Sequence, residues 1–126
     1  MRPLLTNPFT ATTAVAGRRF VKHGAADGAV VQATAATDAF AGVSDPMGAE
    51  AGGVCDVHQV GTADIEYGGN VTRGDRLTSD AQGRAITAAP AAGATVEIGG
   101  RAQVSGVLGD HGRILLGRET YTRPAA

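Results

Sequence analysis

The chain has 126 residues, a formal net charge of −1, 43% hydrophobic residues and one cysteine, which bounds it to a single domain and excludes an internal disulfide framework. Its 11 basic residues are scattered, so no electropositive face for nucleic acid is built into the sequence. No stretch has the apolar length of a signal peptide or membrane span, which predicts a soluble protein made in the cytoplasm with no membrane partner.

In chain order, residues 1–14 come first. Pro3 and Pro8 bar a central strand, yet Leu4, Leu5 and Phe9 make the segment more apolar than a free tail. The reading is an extended arm, 1–14, that docks on another surface. The alternative is an irregular edge strand lying along the chain's own barrel. From residue 15 to 117 short β-type runs alternate with glycine-rich punctuation every eight to twelve residues. "GRRFVKHG" (17–24), "GAVVQATA" (28–35), "AFAGVS" (39–44) and "GVCDVHQVG" (53–61) carry β-branched or aromatic residues. "TADIEY" puts Ala63, Ile65 and Tyr67 on one face.

"GNVTRGDRLTSDAQGRAITAA" (69–89) then reads as a hairpin. Gly74 and Asp75 open it, and Asp80 to Gly83 close it as a type I turn with Gly83 in the left-handed position. A phosphate loop requires a different spacing, so these residues are scaffolding. "AAPAAG" (88–93) has helical composition broken by Pro90 and predicts one turn or a loop, and "ATAATDAF" (33–40) is ambiguous in the same way. "ATVEI" (94–98) and "RAQVSGVL" (101–108) alternate again, with Gly99-Gly100 between them as a turn or a bulge. "GRILLG" (112–117) is the last run, and residues 118–126 form a polar tail for which disorder is expected. The fold class is all-β: a small single-domain barrel of eight to ten strands with an N-terminal arm.

Chemistry is sparse. Ala and Gly together, 24 and 19 residues, make about a third of the chain, against five aromatics. A core built mainly on Val, Ile and Leu, each contributing roughly 1.5 to 3 kcal/mol when buried, points to help from self-association. Cys55 and His58 form a Cys-x-x-His pair with no second pair to complete a metal site, and residues three apart on a strand face opposite ways. Cys55 lacks any nucleophile signature and reads as a small core residue. Asp110 and His111 are adjacent in "GDHGR", which reads as a hairpin loop, and Asp45 opens a turn before Pro46. The expectation is no catalytic residue, no metal, no cofactor and no small-molecule substrate. The sequence reads as that of an assembly protein.

The order of features resembles the phage head decoration, or capsid cement, proteins. The resemblance rests on "AGRRFVKHG", then "AFAGVS" ahead of a Gly-rich loop, then the block from "GGVCDVHQVG" to "RAITAA", and the Ala-rich link into "TVEIGGRAQVSGVL". It implies a small β-barrel that trimerises on the outside of the major capsid shell of the virion, with the arm residues Pro3, Leu4, Leu5, Pro8 and Phe9 reaching over the major capsid protein. It also implies that Gly74, Asp75, Asp80 and Gly83 are hairpin scaffolding. Two other readings stay open: a different β-barrel virion protein, and a small sugar-binding or enzymatic barrel.

Overall fold

A computed structural model describes residues 2–125, and those residues form nine strands and no helix. The strands are β1 (Pro3–Ala11), β2 (Phe20–His23), β3 (Ala29–Gln32), β4 (Phe40–Ser44), β5 (Val54–Glu66), β6 (Arg76–Ser79), β7 (Ala85–Thr87), β8 (Thr95–Ala102) and β9 (His111–Thr122). They make one sheet in the order β1-β3-β2-β4-β5-β9-β8-β6-β7. Strand β1 runs antiparallel to β5 from Pro3↔Gly61 to Thr10↔Val54, and parallel to β3 at Thr10↔Ala29 and Ala11↔Val30. The first five strands of that order therefore close into a ring, and the other four continue from the far half of β5, where Thr62↔Leu115 to Glu66↔His111 pair it with β9.

The alternation of side chains along β2 and β4 explains why the molecule has two apolar cores. Phe20 and Val21 point to opposite faces of β2, and Phe40 and Ala41 to opposite faces of β4, and all four are buried. On one face Phe20, Phe40 and Val43 join Ala63, Ile65, Tyr67, Leu77, Ala102 and Ile114 in the larger core. On the other, Val21 and Ala41 join Ala11, Val15, Val30, Cys55 and Val57 inside the ring. Strands buried on both faces need apolar residues in succession, which is what "RRFV" and "AFAGVS" supply.

The hairpin at 76–87 closes the larger core. Thr78↔Ile86 and Ser79↔Ala85 set its register, and its tip is tied to β2 by the Phe20 N–H donating to the Gly83 carbonyl at 2.8 Å. Arg19 and Gln32 side chains donate to the Gln82 carbonyl at 2.8 and 2.7 Å. The open sheet thus returns to the ring at the end farthest from β5.

Three sequence expectations change, and of the two readings of Gly99-Gly100 one holds. Residues 1–14 are not a segment apart from the barrel: β1 is a member of the ring, because the backbone groups of Pro3–Thr10 find partners on β5, and both prolines are tolerated where one edge of β1 is otherwise unpaired. Gly99-Gly100 is a bulge within one strand, the register slipping between Ile98 and Gly100. Strand β8 then ends at Ala102, so "QVSGVL" is loop. The tail expected from 118 is strand as far as Thr122, held by Glu97↔Thr120 and Thr95↔Thr122, and by Arg76, which pairs with Glu119 at 3.4 Å and covers the Tyr121 ring at 4.4 Å.

Candidate functional site

Strand β1 carries the residues singled out for docking, and the sheet sorts them. Leu4 is 79% and Leu5 45% exposed. Pro8 is exposed and Pro3 half-buried. Phe9 faces the other way: it packs against the ring core and meets the His23 ring edge-on at 6.3 Å between centroids. Between them, Thr6 bonds the buried His58 Nδ1 at 2.8 Å, and the Asn7 amide donates to Gln59 Oε1 at 2.7 Å. The strand is thereby fixed to β5 by side chains as well as backbone. Leu4 and Leu5 are presented on an ordered support, whereas Phe9 belongs to the protein's own interior.

Two residues outside the N-terminal segment extend the apolar surface. Val60, paired with Leu5, is 43% exposed, and Leu115, paired with Thr62 on the next strand, is 46% exposed. Gly61 lies between Val60 and Thr62 with φ 96°. A Cβ there would stand 2.5 Å from the Arg2 carbonyl oxygen and 2.8 Å from the Leu4 nitrogen, so glycine is what lets β1 approach. The Arg2 carbonyl then accepts from Thr62 N–H at 3.1 Å, and Arg2 N–H donates to Thr62 Oγ1 at 2.8 Å. An open cavity of about 530 Å³ lies over this corner, lined by Arg2, Leu4, Gly61, Thr62, Gln103, Arg113 and Leu115.

The β8–β9 loop adds Val104, Val107 and Leu108, which are 39%, 55% and 61% exposed. It is held rigidly. The Tyr67 hydroxyl donates to the Val104 carbonyl at 2.6 Å, and Asp110 Oδ2 accepts from Val107 N–H at 2.9 Å. Burial pushes the Tyr67 phenol up from its ordinary pKa, a backbone bond at Arg113 lowers it in part, and Asp110 and Asp75 add to the rise. The phenol therefore stays a donor.

The remaining candidates are spent on local structure. Asp75 Oδ2 accepts from Thr72 N–H at 2.9 Å and from the Thr87 hydroxyl at 2.8 Å, after Gly74 at φ 95°. Asp80 accepts from Gln82 and Arg84 N–H groups and from Arg84 Nε, with Gly83 at φ 75°. Asp75 and Asp80 thus serve separate turns. Cys55 is sealed in the ring core, and burial, then Asp56 and Asp45, pushes its thiol up. His58 faces Thr6 rather than Cys55, and His111 lies 4.0 Å from Glu66. Among the described residues, no three His, Cys, Asp or Glu side chains gather as metal ligands would.

Sequence reasoning missed Val60, Leu115 and the arginines of the cavity. The signal for Leu115 lies in "RILLG": Ile114 is buried, so strict alternation asks for a polar residue next, and Leu115 breaks the pattern. Arg2 and Arg113 have no such mark, since only the pairing of distant strands brings them to one cavity.

Comparison with known proteins places the chain in a family. The family model of the phage cement proteins matches residues 2–113. The chain belongs to the phage cement protein family. As a cement protein it is a structural protein associated with the phage capsid and a component of the virion. The fold is also similar to the crystal structure of the head fiber gp8.5 N base of bacteriophage phi29, with a TM-score of 0.67 at 15% identity over 90% of this chain and 93% of that one. No curated protein sequence matches. The family match stops within β9, so Ile114 and Leu115, one buried in the larger core and one on the apolar corner, lie just beyond it.

Proposed function

We propose that this cement protein binds the outer surface of the major capsid shell as a homotrimer and stabilises it, with the corner formed by Leu4, Leu5, Val60 and Leu115 as a principal contact. The observation that carries this reading is the exposure of four large aliphatic side chains on strands already hydrogen-bonded to one another. A flexible arm would lose about 1 to 2 kcal/mol per residue on ordering its backbone when it docks. Strand β1 is already ordered, so more of the burial energy of Leu4 and Leu5 is available for binding. One corner still has to offset an association cost of about 4 to 15 kcal/mol, and a trimer presenting three corners raises the effective concentration of the second and third after the first has bound. No step of this role is catalytic.

The test is co-sedimentation with undecorated capsids. The double variant Leu4→Ser/Leu5→Ser should fold normally, because both side chains are exposed, and should bind roughly 5- to 100-fold more weakly, the equivalent of about 1 to 3 kcal/mol of lost burial. Wild-type occupancy by that variant would remove the corner from the interface. Density for single copies rather than triplets on reconstructed capsids would remove the trimer.

A further inference from the structure

The cavity beside the apolar corner has a chemical character of its own. It is lined from three strands, β1, β5 and β9, and from the residue that follows β8. Arg2 precedes β1, Thr62 is on β5, Arg113 and Leu115 are on β9, and Gln103 follows β8, its N–H donating to the Arg113 carbonyl at 2.8 Å. Its volume of about 530 Å³ falls within the range of sites that hold several side chains, roughly 300 to 1,000 Å³. Leu4 and Leu115 supply apolar lining, and the exposed Arg2 and Arg113 line the cavity with them.

Six of the ten arginines of this protein find side-chain partners among the described residues. Arg19, Arg76 and Arg84 pair with Glu66, Glu119 and Asp80, and Arg101, Arg118 and Arg123 donate to backbone carbonyls. Arg2, Arg18, Arg73 and Arg113 make no side-chain ion pair or hydrogen bond among the described residues, and of these four Arg2 and Arg113 line the cavity. Asp64 stands opposite Arg113 in the β5–β9 register and does not bridge to it. Two guanidinium groups flanking an apolar cavity and left without a carboxylate match one ligand chemistry: a carboxylate, held through charge-assisted bonds, carried next to an aliphatic side chain that fits against Leu4 and Leu115.

We infer that this cavity captures an extended, carboxylate-bearing segment of the major capsid protein, an Asp or Glu adjoining a branched aliphatic residue, and so gives the apolar corner its specificity. The inference rests on the capsid-binding reading above. Apolar contact alone gives adhesion with little choice of position, whereas desolvated charges that must be matched penalise any other register.

The experiment compares Arg2→Gln/Arg113→Gln with a control of equal charge change, Arg73→Gln/Arg123→Gln, for binding to undecorated capsids, with circular dichroism and melting as fold checks. The cavity pair should bind about 10- to 100-fold more weakly and lose the salt sensitivity of the wild type, while the control pair should bind as the wild type does. Equal binding by both pairs overturns the inference. Failure of the unsubstituted protein to bind capsids overturns the capsid reading and this inference together, and is visible before any substitution is made. If sedimentation shows that the cavity pair alone dissociates an oligomer of this chain, the occupant is a second copy and the capsid segment is wrong. Should the double variant not fold, Arg2→Gln alone, outside every strand, carries the same comparison.

Discussion

The two cores of this protein share strands β2 and β4 but are filled in opposite ways. The larger holds Phe20, Phe40 and Tyr67, with Phe20 and Phe40 stacked at 4.8 Å, and glycines make room for the rings. The smaller, inside the ring, holds nothing larger than Val among its fully buried members and is lidded by Phe9 of β1. One core is closed by large side chains that reach across it. The other is closed only because an N-terminal strand is laid over it. A sequence poor in aromatics can therefore spend them on one core and cover the second with backbone, which ties the surface-presenting strand β1 to the integrity of the fold.

The largest effect that tests this contrast is removal of residues 1–12. Reading the segment as a separate arm would leave the melting temperature unchanged. In the structure the deletion removes Phe9 and Ala11, uncovers Val21, Val30, Cys55 and Val57, and leaves the backbone of β5 from Val54 to Gly61 without its antiparallel partner. The loss should be on the order of 5 kcal/mol or more, comparable with the whole stability of a small domain, about 5 to 15 kcal/mol. Circular dichroism during heating measures it. A truncated protein that melts with the wild type would mean that the smaller core stands without its lid.

The next effect tests the larger core. A Cβ at Gly112 would lie 2.0 Å from Tyr67 Cζ, and one at Gly106, in the β8–β9 loop, would lie 2.8 Å from Cδ2 of the same ring. The ring is fully buried and anchored through its hydroxyl to Val104, so it has no direction in which to yield. Gly112→Ala should therefore destabilise by about 1 to 3 kcal/mol or more, as overpacking does. The shift of a urea unfolding midpoint reads it. If Gly112→Ala is neutral, the ring is not held as tightly as the glycines around it imply.

Much of this was legible in the residues. "TADIEY" announces its face, and Ala63, Ile65 and Tyr67 are all fully buried. The hairpin closed by Asp80 and Gly83 follows from turn chemistry, because Asp80 accepts from backbone N–H groups within four positions and Gly83 takes the positive φ the turn needs. Misreadings came where a long-range partner overrode a local pattern. Pro3 and Pro8 argued against a central strand and favoured a separate arm, yet β5 offered β1 an edge fifty residues away in sequence. "RAQVSGVL" alternates like a strand, but Val71 pairs with Gly106 and Tyr67 holds Val104, so the segment turns into a loop. Polar "RETYT" looked like a tail because its pairing with β8 buries little side chain and depends on backbone bonds and Arg76. At the candidate site, Leu4 and Leu5 were legible as apolar residues in excess of need. Val60, Leu115, Arg2 and Arg113 were not, since their grouping exists only after β1, β5, β8 and β9 come side by side.

The smallest effect sharpens the contrast from inside the smaller core. Cys55 is fully buried there, and its thiol makes a single long hydrogen-bonding contact among the described residues, to the Asp56 carbonyl at 3.9 Å. Replacing it with serine puts a hydroxyl among Val21, Val30 and Val57 at a cost of about 1 to 2 kcal/mol, with capsid binding unchanged. The thiol also leaves a signature in pH. Burial holds its pKa above the ordinary thiol value, with Asp56 and Asp45 adding to the rise. As pH climbs past that ordinary value, about 8.5, the unfolded chain releases the proton while the folded chain keeps it. The unfolded state then binds fewer protons, so stability falls with rising pH until the folded thiol ionises too. Below the ordinary value both states hold the proton, and the contribution is fully present. Cys55→Ser should flatten this decline in the thiol range, leaving any later fall at higher pH to Tyr67, whose phenol is raised in the same direction. Urea midpoints measured from neutral to alkaline pH for the two proteins make the comparison. Parallel curves through the thiol range would mean that the smaller core admits enough water to solvate a thiolate, and that β1 is a looser lid than its ladder of bonds to β5 indicates.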